Sequence, residues 1–202
     1  MVTNKTWVSP IQSRALTQTE MENNAYIIGW LFIRVYRWTP NAVAGMLGNM
    51  QAESSINPNR WQNDKEPKRE DYESDEEYEE AVSKTGYGLV QWTPYTKYSN
   101  WAGGSWRGNG DKECERIESE KKNGLQWIAT GTYNFTFDAY TEMLNTPEYM
   151  ADAFLKNYER PQNPNQPIRG EYARTWYNFL IQYVQPKLWY WYKKIRDRSF
   201  RK

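Results

Sequence analysis

Glu53 is the residue whose position most clearly predicts acid chemistry in this sequence. It follows Val43, Met46, Leu47 and Met50, whose spacing at i, i+3, i+4 and i+7 marks one apolar face of a helix. A carboxyl group at the end of that row either pairs with a cation or is desolvated and holds its proton more tightly. Because a carboxylic acid that keeps its proton can act as a general acid, Glu53 is the candidate catalytic residue.

The helix that must position Glu53 has clear start and stop signals. Thr39 is a favourable N-cap, and Pro40 suits the first helical position, where its missing N–H has no cost. Asn57-Pro58 indicates that the helix has ended. Gly45 and Gly48 leave a second face narrow enough for close backbone contact with a neighbouring element.

A second informative stretch is the glycine-flanked segment Gly86 to Pro94, GYGLVQWTP. Its alternation predicts a short β-strand with Tyr87, Leu89 and Gln91 on one side. Gln91 can donate and accept hydrogen bonds together, which suits an N-acetyl or hydroxyl group of a sugar. Tyr87 and Trp92 carry aromatic faces that can stack on a sugar ring.

Both stretches, together with Tyr158 to Pro167 (YERPQNPNQP) and the following Arg169 and Gly170, resemble the phage tail lysozyme family. More broadly they are similar to goose-type lysozymes and lytic transglycosylases, in which a helix ends in a catalytic Glu-Ser pair and a Gly-Leu-x-Gln segment faces it across the cleft. The resemblance extends over most of the chain. It implies a mainly α (α+β) fold, a lysozyme-like helical domain with a small β-segment that lines the cleft.

The same resemblance implies a function, a phage virion-associated peptidoglycan hydrolase. Such a muramidase would cleave the β-1,4 bond between N-acetylmuramic acid and N-acetylglucosamine to breach the host cell wall during infection, with Glu53 as general acid. The implied partners are peptidoglycan glycan strands and other phage tail proteins, and the implied location is the tail tip of the virion. The implied substrate-binding residues are Tyr87, Gln91, Trp92, Thr93 and Tyr158.

Two other hypotheses stay open at this point. The chain could be a catalytically inactive wall-binding or structural tail module that keeps the cleft, or a conjugation-type lytic transglycosylase, which shares the motifs. A second catalytic carboxylate is also open. Asp64 is a candidate because it follows Trp61 close to the helix of Glu53 and could position a water molecule.

Composition excludes several other classes. The sequence has no His, which argues against zinc peptidases and against Cys-His and Ser-His-Asp hydrolases. Cys114 is the single cysteine, so no disulfide framework is expected. The net charge of +1 predicts no nucleic-acid partner, and no apolar stretch is long enough to predict a membrane span. Carboxylate chemistry without metal or cofactor remains, and glycosidases use it.

The predicted organisation is one catalytic domain, residues 1–186, followed by a basic, aromatic tail, residues 187–202. Residues 62–85 form a charged insertion loop with almost no aliphatic side chains, although a helical turn could begin at Ser74. Thr19 and Glu22 match a capping box for the helix that precedes Thr39. Three interpretations of the tail compete: docking onto another protein, contact with anionic wall polymer or lipid headgroups, and a disordered end. Docking is favoured, since a tail-tip lysozyme must be held in place.

Overall fold

The helix of Glu53, α2, is at the centre of the fold. In the computed structural model, which describes residues 5–124 and 126–185, α2 runs over Pro40–Ser54 and is buried along most of its length. The Oγ1 atom of Thr39 accepts a hydrogen bond from the Ala42 N–H at 3.2 Å, so the predicted N-cap is confirmed. Ser55 then adopts a left-handed conformation and ends the helix.

The other elements are also helices, which confirms the mainly α fold. They are α1 (Gln18–Gly29), α3 (Asp75–Lys84), α4 (Thr96–Ala102), α5 (Gly110–Asn123), α6 (Phe137–Glu142), α7 (Pro147–Phe154) and α8 (Ile168–Phe179). Single π-helical turns extend α1, α7 and α8, over Trp30–Val35, Leu155–Glu159 and Leu180–Val184. Short 3₁₀ turns cover Gln62–Asp64, Arg69–Asp71 and Gly103–Ser105. Within the described ranges no helix is long and apolar enough to cross a bilayer.

Two glycines let α7 and α8 pack closely against α2. A Cβ atom on Gly45 would lie 2.6 Å from the carbonyl carbon of Met150 in α7. A Cβ atom on Gly48 would lie 2.4 Å from the carbonyl oxygen of Arg169 in α8. Both distances are shorter than a real Cβ atom keeps from any non-bonded atom, so the predicted close backbone contact is confirmed. This packing brings the start of α8 to the end of α2.

The first helix begins two residues earlier than the sequence pattern suggested. Its capping box uses Thr17 and Glu20, not Thr19 and Glu22. Both pairs fit the T-x-x-E pattern, but Glu20 also accepts two hydrogen bonds from the Arg14 guanidinium, at 2.7 and 2.8 Å. The earlier start therefore adds an ion pair to the cap.

The segment from Gly86 to Trp92 is a tight turn and not the predicted strand. Tyr87 and Trp92 exchange backbone hydrogen bonds of 3.3 and 3.0 Å, and the chain reverses between them. Gly88 and Gln91 both have positive φ, at 81° and 49°, which a continuous strand does not allow. Across the described residues, β-structure is limited to the isolated bridges Trp61–Tyr87 and Tyr87–Trp92.

The charged insertion is more ordered than a plain loop. Ser74 caps α3, and Val82 is the buried residue of that helix. Pro67 is buried as well, and the Arg107 guanidinium pairs with Glu66. The predicted domain limit at residue 186 and the predicted tail, residues 187–202, lie outside the described residues.

Candidate active site

A cavity of about 670 Å³ opens at the end of α2, and the Glu53 carboxyl group is part of its wall. We call it the Glu53 cavity. Gln91 from the Gly86–Trp92 turn and Thr93 directly after it line the cavity, as do Lys84 and Glu159. The Glu53 side chain is 21% exposed, so a ligand in the cavity can reach its carboxyl group. Of the residues expected to bind substrate, Gln91 and Thr93 therefore meet Glu53 in one cavity.

Arg169 holds the Glu53 carboxyl group. Its Nη2 atom donates to Glu53 Oε1 at 2.6 Å, and its Nη1 atom donates to Asn49 Oδ1 at 3.0 Å. A third bond, from Nε to Gln166 Oε1 at 2.8 Å, fixes the guanidinium from its other side. Of the two environments that the sequence left open for Glu53, the structure contains the pairing with a cation, and not the desolvated one on which the expectation of a proton-holding acid rested. In the sequence, Arg169 follows the motif Tyr158 to Pro167. Its role as the partner of Glu53 became visible only from the packing of α8 on α2.

Ser54 connects α2 to the Gly86–Trp92 turn. Its Oγ atom lies 2.9 Å from the carbonyl oxygen of Leu89 and 3.0 Å from that of Met50. The residue directly after Glu53 therefore fixes the distance between the helix end and the turn that carries Gln91. This contact is a structural reason for a serine directly after Glu53.

Gln91 is held by its own amide nitrogen. Nε2 donates to the carbonyl oxygens of Arg60 and Gly88, both at 3.0 Å. Because an amide NH₂ group has two hydrogens, its donor capacity is used. The Oε1 atom has no donor among the described residues, so Gln91 can offer a ligand an acceptor.

Tyr87, Trp92 and Tyr158 are buried in the core and are not among the residues that line the Glu53 cavity. The Tyr87 hydroxyl donates to Asn59 Oδ1 and accepts from the Gly108 N–H, both at 2.7 Å. These positions do not support direct stacking on a sugar. The role that we propose for the three side chains is to support the turn and the residues beside it.

The buried Glu120 joins Trp92 to Tyr158. Its carboxylate accepts hydrogen bonds from Trp92 Nε1 at 3.2 Å, from Arg116 Nε at 2.7 Å and from the Tyr158 hydroxyl. Burial raises the pKa of Glu120, although the Tyr158 bond and Arg116 act in the opposite direction. Sequence reasoning missed this residue, because one acid in the strongly charged α5 carries no distinguishing signal.

Glu159 was missed as well, although it directly follows Tyr158. The turn Leu155–Glu159 directs Tyr158 into the core and Glu159 to the wall of the Glu53 cavity. Burial raises the pKa of Glu159 well above its usual range, and the negative charge of Glu53 raises it further. The YERP motif could have pointed to this position, but nothing in its spacing shows which residue faces inward.

Asp64 lies outside the wall of the Glu53 cavity. It is exposed, accepts from Ser13 Oγ at 2.7 Å and pairs with Arg60 at 3.1 Å. A neighbouring cavity of about 810 Å³ lies between α7 and α8 and includes Glu148, Asp152 and Arg174, but neither Glu53 nor Gln91. Across the described residues, no group of three or more acidic or cysteine side chains is placed to hold a metal ion.

The helical fold and the carboxyl-lined cavity define a lysozyme-like domain. The family model for phage tail lysozyme matches residues 22–180, and the chain belongs to that family. A relative, morphogenesis protein 1 of Bacillus phage B103, is 44% identical over 168 residues. The matched region is 82% of this chain and 41% of that relative, so the chain spans about two-fifths of the relative's length.

Proposed function

We propose that the protein is a virion-associated peptidoglycan hydrolase of a phage, a muramidase that cleaves the β-1,4 bond between N-acetylmuramic acid and N-acetylglucosamine. The observation that carries the proposal is the placement of Glu53. Its partly exposed carboxyl group stands at the end of a buried helix and shares a cavity with Gln91. Family membership supports this assignment, because the phage tail lysozyme model matches residues 22–180, a range that includes both Glu53 and Gln91.

The two oxygens of Glu53 would have different tasks. Oε1 is held by Arg169, whereas Oε2 has no hydrogen-bond donor among the described residues. We assign the reactive proton to Oε2, from which it would pass to the glycosidic oxygen as the bond to C1 breaks. The leaving sugar keeps that proton as a hydroxyl group, and Arg169 stabilises the carboxylate that remains.

The second half of the reaction would return the proton to Glu53. In hydrolysis a water molecule attacks C1 and gives up a proton to the Glu53 carboxylate, which restores the acid. In transglycosylation the 6-hydroxyl group of the same sugar attacks C1 instead and leaves a 1,6-anhydro end. The charge balance around Glu53 and Arg169 is the same in both.

The biological setting belongs to the proposal as well. The B103 relative is named a morphogenesis protein, and this name supports the proposal that the protein is part of the virion. We place the protein at the phage tail tip, held by other tail proteins and acting on peptidoglycan glycan strands. Since the relative is longer than this chain, these partners are inferred for the matched region alone.

Mass spectrometry of muropeptides released from purified peptidoglycan tests the proposed reaction. Reducing N-acetylmuramic acid ends together with intact stem peptides are the expected products. Products with 1,6-anhydro ends would instead assign a lytic transglycosylase. Binding to peptidoglycan without any new ends would replace the enzyme with a wall-binding tail module.

A further inference from the structure

The Glu159 carboxyl group lacks the contacts that a buried acid normally has. Its Oε1 atom is buried and has no hydrogen-bond partner within the described residues. Its Oε2 atom has no donor there either. Buried polar atoms are almost always hydrogen-bonded, so an acid left without partners in the wall of a cavity indicates a functional position.

The surroundings of Glu159 favour its neutral form. The charged groups that act on it are Glu53 in α2, Arg169 in α8, Glu120 in α5 and the adjacent Arg160. Burial is the largest influence and raises its pKa, the two acids raise it further, and the two arginines lower it. A neutral carboxyl group carries one O–H donor, which an ionised one lacks.

The chemistry around Glu159 fits a glycan that carries N-acetyl groups. The acetamido carbonyl oxygen is a strong acceptor that needs a donor from the protein. Gln91 cannot supply that donor, because its NH₂ group is bound to the carbonyl oxygens of Arg60 and Gly88. Gln91 contributes an acceptor to the cavity, and Glu159 contributes its Oε2 atom, which accepts no hydrogen bond from the described residues and can carry a proton.

We propose that Glu159 donates a hydrogen bond to the carbonyl oxygen of an N-acetyl group of the glycan bound in the Glu53 cavity. Glu159 thereby selects N-acetylated over de-N-acetylated strands, while Glu53 remains the acid that acts on the glycosidic bond. The inference rests on the proposed glycosidase function and adds to it a second carboxyl group that contacts the substrate.

The test compares Glu159→Gln and Glu159→Leu with the parent protein. Rates are measured on soluble glycan strands from purified peptidoglycan and on the same strands after de-N-acetylation. Leucine removes the donor, so the preference in kcat/KM for acetylated strands should fall about 3- to 10-fold, mainly through KM. The glutamine amide still donates, so Glu159→Gln should keep the preference. Glu142→Gln, an equal charge change at an exposed site at the end of α6, is the control and should behave like the parent.

A pH series adds a readout that a merely structural role would not move. In the parent, the preference for acetylated strands should decline on the alkaline side as Glu159 loses its proton. In Glu159→Gln it should stay level, because the amide does not titrate. This arm keeps the inference testable even where Glu159→Leu fails to fold.

The remaining outcomes separate failure of the proposed glycosidase function from failure of the role inferred for Glu159. A parent protein that releases no new ends removes the proposed function and this inference with it. With an active parent, an unchanged preference in Glu159→Leu rejects the inference alone. Loss of all turnover in Glu159→Gln also rejects it, because Glu159 would then supply the reactive proton.

Discussion

The Nη2 atom of Arg169 lies 2.6 Å from Oε1 of Glu53 and so joins the first turn of α8 to the last turn of α2. The same guanidinium also donates to Asn49 one turn earlier in α2. Arg169 is almost fully buried, so water cannot replace it as a partner for either group. The position of the candidate acid therefore depends on how two helices pack and not on α2 alone.

Replacing Arg169 with methionine should reduce both stability and activity. The change leaves the buried Asn49 Oδ1 and the partly exposed Glu53 carboxylate without their donor, which we expect to cost about 1–3 kcal/mol of unfolding free energy. Urea unfolding measures it. The control is Arg174→Met, whose ion pair with Glu148 is about half exposed, so it should cost less than about 1 kcal/mol. Equal losses in the two variants would contradict the special position of Arg169.

Glu53→Gln should fold normally and lose wall cleavage. The amide keeps the shape of the side chain and can still accept from Arg169, but it has no proton to transfer. General acid catalysis contributes about 10²- to 10⁴-fold, so the rate of turbidity loss of a cell-wall suspension should fall by at least that range. Near-parental turbidity loss would remove Glu53 from the mechanism.

Ser54→Ala should loosen the contact between α2 and the turn that carries Gln91. It removes the Oγ bond to the Leu89 carbonyl and leaves that buried oxygen unpaired, for which we expect a loss of about 1–2 kcal/mol. Activity should fall with it, because Gln91 would be less well positioned. Ser83→Ala is the matched control, since the exposed Ser83 hydroxyl bonds only to a carbonyl of its own helix. Thermal unfolding and initial rates are measured for both variants, and only Ser54→Ala should lose stability and activity.

Shortening the charged insertion should have little effect on folding. Residues 68–81 can be replaced with a short Gly/Ser linker that keeps the buried Pro67 and Val82 and the cavity residue Lys84. Surface loops of different length differ little in closure entropy, so the melting temperature should shift by no more than about 5 °C. Loss of cooperative unfolding would show that this segment belongs to the core.

The buried Glu113 and Glu120 and the partly buried Glu159 predict how the stability of the protein depends on pH. Burial raises the pKa values of Glu113, Glu120 and Glu159, so the folded state holds protons that the unfolded state releases above about pH 4.3. Their contribution is therefore complete below that pH and declines as pH rises. Glu20, whose pKa Arg14 lowers to about 2, acts oppositely, and its contribution is lost only as pH falls toward that value.

Glu113→Gln isolates one of these acids. Removing a single such group should make the decline shallower by up to about 1.4 kcal/mol per pH unit. Urea unfolding at pH 5 and 7, at fixed ionic strength, measures the change. The exposed Glu142→Gln should leave the slope as it is, and an unchanged slope in Glu113→Gln would show that Glu113 is ionised in the folded protein.

Local sequence signals were sufficient to predict α2, the helix that carries Glu53. The N-cap at Thr39, Pro40 in the first turn and the apolar row ending at Glu53 act over a few residues, so they define α2 without knowledge of the rest of the chain. The small residues Gly45 and Gly48 also indicated correctly that another element approaches closely. The two sequence motifs were enough to predict that Glu53 and Gln91 line the same cavity.

The partners of these residues were decided only by tertiary packing. Arg169 and Glu159 are far from Glu53 in sequence, and their chemistry depends on which way each side chain faces after α7 and α8 pack on α2. Alternation suggested that Tyr87 faces the sugar, but two positive φ angles reverse the chain and bury it. Short patterns specify local conformation, whereas burial, charge pairing and pKa depend on contacts between distant segments, which no local pattern encodes.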